Sequence, residues 1–229
     1  MPLPTKPAPA TVAERCYTES PGAIIGIKAA DGASTLSAVT YGSGSTAAIF
    51  LHQTGAGGLC GWVPFGTWVA GQGVRAILVD DCSHGRSQCS PQVLGDARAT
   101  VAIAVDWARS GGATRVVLVG ASMGGAVALG TAQDVGADAV VDLSGPSRWQ
   151  GVPDAVTAAR AISIPLLLVV AADDSTMGIP DLQQAAEESP ATTKDFVTVD
   201  TGHGWDLTST GSPPNVRPTD VGRRVLGWI

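Results

Sequence analysis

One ten-residue run constrains this chain more than any other: Val116-Val117-Leu118-Val119-Gly120-Ala121-Ser122-Met123-Gly124-Gly125. Its first four residues read as a strand buried on both faces, because nothing polar alternates with the apolar side chains. The Ala/Val/Leu-rich stretch over 126–132 has helical character. Between them lies Gly-x-Ser-x-Gly, at Gly120, Ser122 and Gly124. A serine at such a strand-to-helix junction sits on a sharp, strained turn with its hydroxyl exposed beyond the end of the strand. The Met123 N–H, at the helix N-terminus, is left to donate to an anion. The plain alternative is a glycine-rich turn with a serine N-cap.

The rest of the chain has the order that such a junction requires. Two strands, over 23–28 and 35–41, flank a turn at Asp31-Gly32 and predict an antiparallel opening. Further strands are expected over 47–52, 75–80, 115–120, 139–143, 165–171 and 196–200, most of them continuous Val/Ile/Leu runs. Helices are expected over 96–109, where Val101, Val105 and Ala108 share a face, and over 154–161, 181–188 and 218–229. Strands alternating with helices predict an α/β fold with a mostly parallel central sheet, helices on both faces and antiparallel N-terminal strands. The Pro/Ser/Thr-rich stretch 209–218 reads as a loop. The 229 residues suit one catalytic domain over 21–229, with 1–20, rich in Pro, Ala and Thr at its start, as a tail or linker.

Composition narrows the partners. A net charge of −6 without a Lys/Arg cluster argues against nucleic acid and against attraction to anionic lipid. The longest apolar run, 164–172, is too short to span a bilayer. Four cysteines allow three pairings. Cys82 and Cys89 flank a short polar loop and are expected to pair, with Cys16 and Cys60 as the second pair. Disulfides imply an oxidising compartment, hence a secreted or cell-envelope protein; a cytoplasmic one with free buried thiols is the alternative.

A nucleophilic serine needs a base, and the base needs a carboxylate to hold its tautomer. His203, between Gly202 and Gly204 after the last strand, is the candidate base. Asp173 and Asp174 follow the strand 165–171 and fall between serine and histidine, the order Ser…Asp…His. Either could serve; the other is a turn or capping carboxylate.

From about Thr46 onward the chain resembles the α/β-hydrolase superfamily, and within it small, lidless bacterial esterase-like members, many of them exported. Asp80-Asp81-Cys82-Ser83-His84-Gly85-Arg86-Ser87 resembles the family's D-x-R-G-x-G-x-S loop, with Cys82 and Ser83 replacing Arg-Gly. Gly202-His203-Gly204 resembles its histidine loop, and counting from Pro165 the acid aligns with Asp174. Leu51-His52-Gln53-Thr54 resembles the H-G-x oxyanion loop, with Gln53 in place of glycine. The resemblance implies that Thr54 supplies an oxyanion N–H beside Met123, and that His52 is a structural residue. It implies a serine hydrolase cleaving small or polymeric carboxylic esters through an acyl-enzyme, with no cofactor or metal. The same residues could serve a peptidase, a thioesterase or a carbon–carbon hydrolase, or persist in a non-catalytic binding protein. The crossover 144–164 has room for one helix, so the site is expected to be open. Trp149 and Trp205, in loops at the carboxyl edge of the sheet, are expected to line the substrate cleft.

Overall fold

The computed structural model describes residues 10–229 apart from Ala56 and Ser83. The first nine residues of the expected tail, and Ser83 of the D-x-R-G-x-G-x-S-like loop, lie outside the described residues. The chain opens with a short helix, α1 (Val12–Cys16), and the hairpin β1 (Ile25–Lys28) and β2 (Thr35–Tyr41). Then follow β3 (Thr46–Leu51), a 3-10 turn (Gly58–Trp62), α2 (Val63–Ala70), β4 (Arg75–Val79), α3 (Ala97–Ser110), β5 (Arg115–Ala121), α4 (Met123–Thr131) and β6 (Ala139–Leu143). The chain continues through α5 (Ala155–Ala161), β7 (Leu166–Ala171), α6 (Ile179–Glu188) and β8 (Lys194–Val199). A small ribbon, β9 (Ser209–Thr210) with β10 (Arg217–Pro218), leads into α7 (Asp220–Trp228). Each expected strand forms, with ends shifted by at most two residues.

Eight strands make one sheet in the order β1-β2-β4-β3-β5-β6-β7-β8. β1 pairs with β2, and β2 with β4, antiparallel; from β4 to β8 every pairing is parallel. Side-chain alternation sends Ile49, Leu51, Ile77 and Leu118 to one core and Ala48, Phe50, Leu78 and Val119 to the other. The first core is closed by α3, α4, α5 and α6, the second by α2 and α7. β6 and β7 are buried along their whole lengths, which is why β7 reads as an unbroken apolar run and β6 as one interrupted only by Asp142.

Among the described residues two helices escaped the sequence pattern. α2 is Val-Pro-Phe-Gly-Thr-Trp-Val-Ala, apolar on nearly every side, so no 3.6-residue stripe marks it. α1 lies in the stretch read as a tail. Residues 10–20 are instead fastened to the body. Thr11 and Glu14 form a reciprocal capping box, Cys16 is bonded to Cys60, and Arg15 pairs at 2.6 Å with the fully buried Asp80. The stretch 209–218, read as a loop, has its ends zipped by the β9–β10 pairing.

Both expected disulfides form: Cys16–Cys60, with Cα atoms 5.3 Å apart, and Cys82–Cys89, at 5.7 Å. Among the described residues no helix is long and apolar enough to cross a membrane.

Candidate active site

β3 sits between β4 and β5, so the chain leaves the carboxyl ends of β3 and β5 toward opposite sides of the sheet. Such a switch point opens a crevice where α/β proteins bind ligands. The loop 52–54 leaves β3 there and Ser122 leaves β5 there, on neighbouring strands with Leu51 paired to Gly120.

Ser122 has φ 51° and ψ −119°, a strained backbone for an L-residue that costs about 1–3 kcal/mol. The surroundings enforce it. Its N–H donates to the Leu143 carbonyl at 2.8 Å, and its own carbonyl accepts from the Gly125 and Ala126 N–H groups at 2.8 and 3.1 Å. A Cβ on Gly120 would lie 1.9 Å from the Gly124 oxygen, and one on Gly124 would lie 2.2 Å from the Leu51 oxygen. Both positions must therefore be glycine. The same close approach presses the first turn of α4 against the backbone at Leu51 and His52. Met123, the first residue of α4, and His52 thus line one crevice.

His203 comes four residues after β8, and its Nδ1 lies 2.6 Å from Asp174 Oδ2. Asp174 follows β7 and its side chain is 13 % exposed, against 36 % for His203. Donation from Nδ1–H to the carboxylate leaves the lone pair on Nε2. Asp173 is exposed, and its side chain makes no hydrogen bond among the described residues. The histidine loop reaches back to the serine turn: a Cβ on Gly204 would lie 3.2 Å from Ala121 Cβ and 2.3 Å from Gln53 Oε1. Among the described residues Ser122 Oγ and His203 share no hydrogen bond. Resting nucleophile–base pairs are often loose until substrate tightens them.

His52 is buried and both of its ring nitrogens are engaged. Nδ1 bonds the Gln53 carbonyl at 2.7 Å, and Nε2 accepts the Asp81 N–H at 3.1 Å. Burial pushes its pKa below the usual histidine value, which keeps the ring neutral. His52 therefore ties the loop after β3 to the loop after β4. His84 Nδ1 stands 3.5 Å from Asp81 Oδ2, its ring 5.7 Å from that of His52.

The two tryptophans part company. Trp149 lines a cavity of about 370 Å³ together with Met123, Val127, Thr100, Asp96 and Asp81. Trp205 does not line it. Its ring lies against Gly61, where a Cβ would come within 2.2 Å, and meets Trp62 edge to face at 6.2 Å. Trp205 thus braces the turn after His203.

Asp142 is a polar residue that the sequence pattern missed. Its carboxyl is buried against Gly125 and Gly145, and Oδ1 accepts the Gly145 N–H at 2.6 Å while Oδ2 has no hydrogen-bond partner among the described residues. Burial raises its pKa to about 7. The available signal was a carboxylate inside the otherwise apolar strand β6. Among the described residues no group of three or more His, Cys, Asp or Glu side chains is placed to hold a metal.

The backbone has many relatives. An esterase of Pyrococcus furiosus superposes with a TM-score of 0.70 at 17 % identity, covering 87 % of this chain and 88 % of that one. A dienelactone hydrolase of Anabaena variabilis gives 0.64 at 18 % identity, covering 90 % and 95 %. Est1E of Butyrivibrio proteoclasticus, solved with ferulic acid bound, gives 0.62 at 16 % identity, covering 77 % and 89 %. A search of curated proteins found no match. The fold is that of the α/β-hydrolases. The profile of the dienelactone hydrolase family matches residues 82–210, more than half of the chain, and the chain belongs to that family. It is accordingly a hydrolase.

Proposed function

We propose that this hydrolase is a serine carboxylesterase in which Ser122, His203 and Asp174 form the catalytic triad. The observation that carries the reading is the 2.6 Å contact of His203 Nδ1 with Asp174, beside a serine on a strained strand-to-helix turn. Esterases among the structural relatives and the family itself agree with it.

Ser122 Oγ attacks the ester carbonyl carbon while His203 Nε2 takes the hydroxyl proton. Asp174 stabilises the imidazolium. The oxyanion is held by the N–H of Met123, where the N-terminus of α4 adds its dipole, and by the N–H of Thr54. His203 returns the proton to the leaving alkoxide, which departs as alcohol and leaves Ser122 acylated. Water, deprotonated by the same nitrogen, attacks the acyl carbon, and the acid leaves as Ser122 is reprotonated. The two disulfides fit an oxidising compartment, and we place the protein outside the cytoplasm, in the cell envelope or secreted.

A fluorophosphonate probe tests this directly. Wild-type protein should label and should hydrolyse a short chromogenic ester, and Ser122→Ala should do neither. Ester hydrolysis that persists in Ser122→Ala would refute the assignment.

A further inference from the structure

The cavity past Met123 has a chemistry of its own. It opens between α3 and its N-cap, the start of α4, Asp81 and His84 on the loop after β4, and residues 149–151. At about 370 Å³ it falls within the range of small-molecule sites. Met123 ties it to the reaction, because that residue follows Ser122 and lines the cavity.

The wall is asymmetric in charge. Asp81 and Asp96 line it, and no lysine or arginine does among the described residues. Asp96 Oδ1 accepts the Ala99 N–H at 2.9 Å as the N-cap of α3; its Oδ2 makes no hydrogen bond among the described residues. The positive end of the α3 dipole, which would otherwise draw an anion, is thereby already met by a carboxylate. Among the described residues of this wall, His84, 3.5 Å from Asp81, is the only basic side chain. Trp149 adds an aromatic surface, which favours a cation by its quadrupole. The net charge of −6 on the whole chain acts in the same sense on an approaching ligand.

We infer that this cavity receives one arm of the ester and selects a cationic group, a quaternary or protonated ammonium, over its neutral isostere, while rejecting a carboxylate. The inference rests on the esterase reading for the position of the scissile bond. The charge preference of the cavity does not need it.

Two measurements separate the two claims. In the first, wild type hydrolyses three matched acetates: 2-(trimethylammonio)ethyl acetate, the isosteric 3,3-dimethylbutyl acetate, and an acetate ester with a terminal carboxylate. The ammonium ester should exceed its neutral isostere in kcat/KM by about tenfold or more, the range of a partly desolvated cation–π contact with nearby carboxylates, and the carboxylate ester should be the poorest. Asp96→Asn keeps a capping side chain but removes the charge, so the ammonium-to-neutral ratio should fall several-fold; Trp149→Leu should lower it too. A ratio near one, or a preference for the carboxylate ester, overturns the inference and leaves the esterase reading standing. In the second, Ser122→Ala protein is titrated calorimetrically with phenyltrimethylammonium and with benzoate. Binding of the cation alone, weakened by Asp96→Asn, supports the pocket even if hydrolysis fails. Binding of benzoate alone, or of neither, overturns it.

Discussion

At the scale of single residues, two adjacent carboxylates illustrate how local chemistry is divided. Asp174 bonds His203, while its neighbour Asp173 is exposed. Asp174→Asn would present an amide that can donate to Nδ1 and hold the imidazole in the wrong tautomer, so kcat should fall by about 10⁴. Asp173→Asn should stay within a few-fold of wild type. Steady-state kinetics of the two variants decide the assignment, and the reverse ranking would overturn it. The pair was legible as a pair from its place after β7. Which member faces the histidine depends on the turn that follows: Asp174 accepts the Met177 N–H and leads into a 3-10 turn at Ser175–Met177. Likewise His52 and His203 are both loop histidines in sequence. Only burial and two ring contacts show that His52 is structural.

At the scale of elements, the crossover from β6 to β7 determines how open the site is. It contains α5, seven residues long, capped by Asp154 through the Thr157 N–H at 3.0 Å. α5 packs against α4 and α6, so it belongs to the layer covering the sheet. No segment remains there to form a lid. Hydrolysis of a sparingly soluble ester should therefore rise smoothly with concentration, without a jump when the ester passes its solubility limit. A sharp increase at that limit would mean that some other element covers Ser122. The length of the crossover made this legible in advance. The role of α1 was not legible: a capped helix of five residues leaves no periodicity, and its position depends on Arg15 meeting Asp80 across 65 residues of chain.

At the scale of the whole molecule, Asp142 couples the core to pH. Its pKa is 3.8 when free and about 7 in the folded protein, because burial disfavours the charge. Between those values the unfolded chain has lost the proton and the native state still holds it. The native state thus binds more protons, and stability falls as pH rises through that window, then levels off above about 7. Asp142→Asn carries no charge and should lack this fall. Urea unfolding at about pH 4 and about pH 8 measures it: the variant should gain on wild type at the higher pH. An unchanged gap between the two proteins would contradict the raised pKa. His52 acts in the opposite sense, losing stability as pH drops below its ordinary 6.5, but equally in both proteins. It cancels in the comparison.

The sequence by itself determined the strands of the central sheet, the helices α3 to α7, the serine turn and the order of serine, acid and histidine. These depend on period and punctuation: unbroken apolar runs, an amphipathic stripe on α3, and glycines where no Cβ fits. The seven-residue separation between Cys82 and Cys89 made their pairing an expectation, but four cysteines allow three connectivities, and it is the structure that joins Cys82 to Cys89 and Cys16 to Cys60. What only the tertiary structure decided involves atoms brought together from distant strands. Trp205 packs on Gly61 while Trp149 faces the cavity, Asp80 receives Arg15, and Asp142 is sealed behind Gly125 and Gly145. Local pattern determines which residues reach the carboxyl edge of the sheet. Packing across the switch point determines which of them face one another, because that choice depends on distances between segments that the sequence does not encode locally.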